Sequence, residues 1–108
     1  MVSSSFDFKI YQVGITSSAK KDLDIIYKFI EETTGSSYYA DKRLRVIESE
    51  IYKLSIFPNG YPIYNEKHRI RHIKKYCILF KIDEKHNKVN IARIFHAWQN
   101  IDKLLNEQ

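Results

Sequence analysis

Between Lys67 and Lys75 the chain reads Lys-His-Arg-Ile-Arg-His-Ile-Lys-Lys, five fixed positive charges and two imidazoles with no acid among them. Side chains of this kind hold anions. Arg and Lys form charge-assisted hydrogen bonds to phosphate and carboxylate oxygens, and positive potential gathered in one place steers an anionic partner towards it. The whole chain carries 18 Lys+Arg against 13 Asp+Glu, so without these five the bases and acids balance. The excess charge is local. A solvated face that serves solubility alone is the plainer reading of the same run.

One chemistry open to such residues is metal-free cleavage of RNA. It needs a base for the ribose 2′-hydroxyl, an acid for the leaving oxygen, and cations facing the developing phosphorane. Arg69, Arg71, Lys74, Lys75 and His96 are of the right types. His96 closes the last predicted strand, where side chains emerge at a rim, although a hydrogen-bonded structural histidine fits there equally. Trp98 can stack on a base or anchor in a protein groove, and it can as readily be partly buried.

Other chemistries find less support. His68 and His72, four apart in an extended segment, are separated by roughly 13 Å, whereas zinc holds ligands at about 2 Å. No metal and no cofactor is expected. There is no glycine-rich phosphate loop and no serine-nucleophile elbow. The lone Cys77 sits in Tyr-Cys-Ile-Leu-Phe and reads as a small core hydrophobe rather than an activated thiol.

The elements that must position these residues follow from hydrophobic period. The 108 residues are 44% hydrophobic with only three glycines and two prolines, which suits one domain with one core. Phe6 to Ile15 reads as a strand. Thr16-Ser17-Ser18 offers N-cap oxygens to a helix whose apolar stripe is Leu23, Ile26, Tyr27 and Ile30. Gly35 stops it. Ser36 or Ser37 starts a second helix, carrying Ala40, Leu44, Ile47, Ile51 and Leu54 and running to about Phe57, ahead of Pro58.

After Pro62 the period shortens. Arg69 to Ile73 is extended, but Ile70 and Ile73 differ in parity, which predicts a bulge or early turn. Tyr76, Ile78, Phe80 and Ile82 form one face of a strand. A polar turn over 83–88 leads to a returning strand, Val89 to Phe95. Residues 100–105 suit a short terminal helix. The expected fold is α+β, a two-helix antiparallel hairpin on one face of an antiparallel sheet of about four strands. The other face is expected to stay open for binding. No apolar run approaches the roughly 20 residues of a membrane span, so a soluble cytoplasmic protein is expected.

Taken in order, several of these segments resemble the RelE/ParE superfamily of toxins. They are Tyr11-Gln12-Val13-Gly14-Ile15-Thr16 with Ala19, Asp22-Leu23, Ile26 and Ile30; a second helix ending in Leu54 and Phe57-Pro58; and Arg71 followed by Tyr76 to Ile82. Val89-Asn90-Ile91, Arg93-Ile94-Phe95-His96, Gln99-Asn100-Ile101-Asp102 and Leu104-Leu105 complete the set. The resemblance covers nearly the whole chain and implies the toxin of a type II toxin–antitoxin pair. It implies a cognate antitoxin whose disordered segment folds along the toxin, for which Leu23, Ile26, Ile47 and Ile51 mark the expected region.

Family toxins act in two ways. RelE-like members cleave mRNA in the ribosomal A site; ParE-like members bind and poison DNA gyrase. The long helical hairpin and the ending Arg93-Ile94-Phe95-His96 with Gln99-Asn100 favour the ParE side. The nuclease side often places arginine and tyrosine after the last strand, where this chain has Ala97-Trp98-Gln99-Asn100. On the ParE reading Arg69, Arg71, Lys74, Lys75, His96 and Trp98 form or border the target surface. On the RelE reading Arg71, Lys74 and His96 are the catalytic set.

Overall fold

The structure, a computed structural model, describes residues 9–96. Its elements run in the order β1 (Gln12–Ile15), α1 (Ser17–Thr34), α2 (Ser37–Tyr52), β2 (Arg69–Ile73), β3 (Tyr76–Asp83) and β4 (Lys88–His96), with 3₁₀ turns at Lys53–Ser55 and Pro58–Gly60. This is the expected α+β arrangement. The first residues of the predicted N-terminal strand, the predicted terminal helix and Trp98 lie outside the described residues.

Local chemistry accounts for both ends of α1. The Thr16 hydroxyl accepts the Ala19 amide at 3.2 Å and so caps one of the unpaired donors of the first turn. At the other end Gly35 takes φ 69°, the left-handed conformation that lets its amide reach the Glu31 carbonyl. Ser36 takes the N-cap position of α2 without a side-chain capping bond. Helix α2 ends at Tyr52, short of the predicted Phe57, and a 3₁₀ turn carries Leu54 into the core. Ile56 then bridges to Ile10.

The sheet order is β1-β4-β3-β2. Pairings β2–β3 and β3–β4 are antiparallel, but β1 lies parallel to β4, with Val13 opposite Val89 and Ile15 opposite Ile91. The sheet is therefore mixed, where an antiparallel one was expected. A parallel neighbour needs a crossover connection, and the helical hairpin lies within the connection from β1 to the meander.

The main core forms where α1 and α2 cover one face. Ile26, Ile47, Ile51 and Leu54 meet Ile73, Tyr76, Ile78, Phe80, Val89, Ile91 and Ile94 there. The opposite face is not open. Ile70, Cys77, Leu79 and Phe95 are buried on it, with Tyr64 packed against them. This second cluster also explains the parity of β2. Ile73 serves one face and Ile70 the other, so β2 pairs regularly with β3 and needs no bulge. The register shift falls instead between Leu79 and Phe80, where β3 meets β4.

Beyond the end of β1, helix α1 takes over the free edge of β4. Thr16 donates to the Ile91 carbonyl at 2.8 Å. Asp22, the only buried charged residue among those described, accepts the Ile94 amide at 2.8 Å and two bonds from Arg93, at 2.8 and 3.0 Å. The Arg93 guanidinium also lies 4.7 Å from the Phe95 ring centre. An edge amide that would otherwise be buried unpaired is thus satisfied by a carboxylate, whose own charge is matched. No helix among the described residues is long and apolar enough to cross a membrane.

Candidate functional site

The basic run does not form one surface. Arg69 donates to the Tyr61 carbonyl at 2.7 Å, drawing its head group back onto the chain. Arg71 points to the helix-covered side, where it pairs with Glu50 at 2.6 Å, lies 5.5 Å from the Tyr61 ring and keeps its Nε buried without a hydrogen-bond partner. Glu50 also takes Lys53 at 2.7 Å. Lys53 first and Arg71 next hold its carboxyl below the ordinary carboxylate value. His72 is exposed on the outer side, 3.3 Å from the Cys77 sulfur. Burial pushes the Cys77 thiol up, the reverse of what an attacking thiolate needs.

The two lysines behave differently. Lys74 and Lys75 make the two-residue turn between β2 and β3, with Lys74 at φ 49°. Both are exposed. They line a groove of about 500 Å³ together with His96, which ends β4. Register puts His96 opposite Tyr76, whose ring meets the imidazole edge-on at 5.2 Å. Arg71 and His96 share the helix-covered face of the sheet, since Arg71 is opposite Ile78 and Ile78 opposite Ile94. Arg71 nevertheless lies outside the groove.

The far wall of the groove comes from the helices. Lys42 and Arg43 contribute charge from α2, and Phe29 and Tyr39 contribute half-exposed rings. Arg43 leans over the Tyr76 ring at 5.9 Å, and Phe29 approaches His96 edge-on at 6.5 Å. Among the described residues no acid lines this groove. Burial, then the Lys75 charge, lowers the His96 pKa below the ordinary imidazole value. At neutral pH the ring is mainly uncharged and a poor proton donor. Lys42 and Arg43 escaped the sequence reasoning, although two adjacent cations in the second turn of α2 were a usable signal.

The expected antitoxin region needs correction. Ile47 and Ile51 are fully buried and Ile26 nearly so, because their stripe faces the sheet. A partner cannot reach them. Leu23 alone of the four is part-exposed, and it opens with Tyr27 and Leu44 into a cleft of about 410 Å³ on the outer side of the hairpin. No cluster of three His, Cys, Asp or Glu side chains among the described residues is placed to hold a metal ion.

Residues 13–101 match the family model described as "ParE toxin of type II toxin-antitoxin system, parDE". Among solved structures, a chain of the chromosomal ParDE toxin–antitoxin system from P. aeruginosa superposes with a TM-score of 0.72 at 22% identity, over 82% of this chain and 97% of that one. A chain of the toxin–antitoxin complex RelBE2 from Mycobacterium tuberculosis gives 0.57 at 24% identity, over 81% and 91%. At these identities the two structures establish the shared fold. No curated protein sequence matches the chain.

Proposed function

The chain belongs to the ParE toxin family of type II toxin–antitoxin systems, and from that premise we propose that it arrests growth by binding and inhibiting DNA gyrase in the cytoplasm. The observation that carries this reading is the family match across residues 13–101. The geometry around the basic run supports it. Arg69 and Arg71, the cations best suited to a phosphorane, are turned onto Tyr61 and Glu50. His96 is held towards its neutral form. The groove thus offers charge and aromatic surface for binding, without a matched acid and base.

The rival function, ribosome-dependent mRNA cleavage, draws on the same cations: Lys74 or Lys75 as base and His96 as donor. Induction in cells, with DNA breaks and mRNA ends scored together, separates the two. Gyrase poisoning yields DNA-damage signalling with no cleavage at A-site codons. Codon-phased mRNA ends without DNA breaks reject the proposal.

A cognate antitoxin completes the system. Its apolar segment is proposed to lie on the outer cleft of the hairpin, over Leu23, Tyr27 and Leu44. Lys20 and Asp24 from α1 and Glu48 from α2 give that cleft a mixed charged rim. Amphipathic helices dock into grooves of this kind.

A further inference from the structure

We propose that the groove between α2 and the β2–β3 turn binds single-stranded DNA, a contact beside the one with gyrase proposed above. This deepens, and rests on, the gyrase reading above. Its basis is the convergence on one groove of cations that lie outside the salt bridges. Every salt bridge among the described residues uses Lys9, Lys53, Arg71, His86 or Arg93. None uses Lys42, Arg43, Lys74 or Lys75, the four that converge on the groove from two elements distant in sequence. With no acid among the described lining, their potential adds up rather than cancelling, which suits a row of phosphates.

An acidic peptide would answer the same charge, but it leaves the rings unexplained. Phe29 is 51% and Tyr39 56% exposed, both on the groove wall beside these cations. Large rings left in water next to positive charge form the usual platform for single strands. Each base presents a π-face to stack while the cations follow the backbone, and the pairing is tolerant of sequence. A duplex hides those faces, so an unpaired segment fits and a double helix does not. Nothing in such contacts reads a 2′-hydroxyl. DNA is chosen over RNA because the proposal rests on the gyrase reading, whose target acts on DNA.

The test is fluorescence anisotropy of the full chain with a labelled single-stranded DNA of about 12 nucleotides, without gyrase, across a salt series. Three to four phosphate contacts at about 0.7 each predict a log–log salt slope of roughly −2 to −3. Tyr39→Ala should weaken binding about tenfold. The pair Lys42→Glu with Lys75→Glu, both exposed, should abolish it while the far-ultraviolet circular dichroism stays unchanged. Lys85→Glu, in the turn at the other end of β3, should leave it intact.

Several results overturn the proposal. They are no single-strand binding at low salt, equal loss in Lys85→Glu, tighter binding of duplex, RNA binding tenfold tighter than DNA, or displacement by a polyglutamate peptide at matched charge. Parallel supercoiling assays keep the two claims apart. Gyrase inhibition without single-strand binding removes this proposal and leaves the gyrase reading standing. Single-strand binding with gyrase fully active does the reverse.

Discussion

Replacing Asp22 by alanine should be among the most damaging single changes in the protein. Its carboxylate is 8% exposed and that of its partner Arg93 17%, and three hydrogen bonds converge on it. Removing it strands a mostly buried guanidinium, at a cost of about 3–5 kcal/mol for breaking one half of a buried pair. The loss of the Ile94 amide's acceptor is part of that cost, itself worth about 1–3 kcal/mol. Against a total stability of about 5–15 kcal/mol, such a loss lowers the melting temperature by more than about 10 °C.

Urea unfolding followed by circular dichroism measures it. The double change Asp22→Ala with Arg93→Met removes both charges and keeps aliphatic packing on Phe95, so it should recover about 2 kcal/mol of the single-mutant loss. A cost below about 1 kcal/mol for Asp22→Ala, or strict additivity in the double variant, would refute the argument that this carboxylate pins the β4 edge.

Three further outcomes are expected. The Tyr11 hydroxyl, then Lys9 and Asn59, hold the Glu84 carboxyl at about 2; below the unfolded value the unfolded chain binds more protons, so its contribution is complete above about pH 4.5 and disappears as pH falls through about 2. Urea midpoints of Glu84→Gln between those limits should therefore fall less steeply with acidification than those of the parent chain. Gly35→Ala should cost about 1 kcal/mol in the same unfolding assay, because φ 69° strains a side chain although its Cβ would meet nothing within 4 Å. Tyr27→Ala should weaken antitoxin binding, read by calorimetry, by at least about tenfold with little change in melting temperature.

Periodicity carried the elements whose partners are close in sequence. The α1 stripe, its Thr16 and Gly35 ends, and the β3–β4 hairpin all follow from residues within a few positions of one another. What escaped depends on distant contacts. The parallel pairing of β1 with β4 joins residues more than 70 apart, and no local pattern encodes it. The second apolar cluster was hidden because Ile70 looked out of phase with Ile73, when each simply serves a different face.

The site divides in the same way. The charge of the basic run was visible, but where each head group points depends on Tyr61 and Glu50, contributed by other elements. Arg69 and Arg71 turned away, and Lys42 and Arg43 arrived from α2. Asp22 left a signal that could have been used: it lies beside Ala19, Leu23 and Ile26 on the helix stripe that faces the core, an acid where burial demands a partner.

The central claim is that this protein stops gyrase by binding and performs no chemistry of its own. Purified gyrase relaxing and supercoiling a plasmid, titrated with the toxin, measures that directly. Supercoiling should fall to nothing as toxin saturates the enzyme and should return when antitoxin is added. Unimpaired supercoiling at saturating toxin, from a folded preparation that still cleaves mRNA on ribosomes, contradicts the claim.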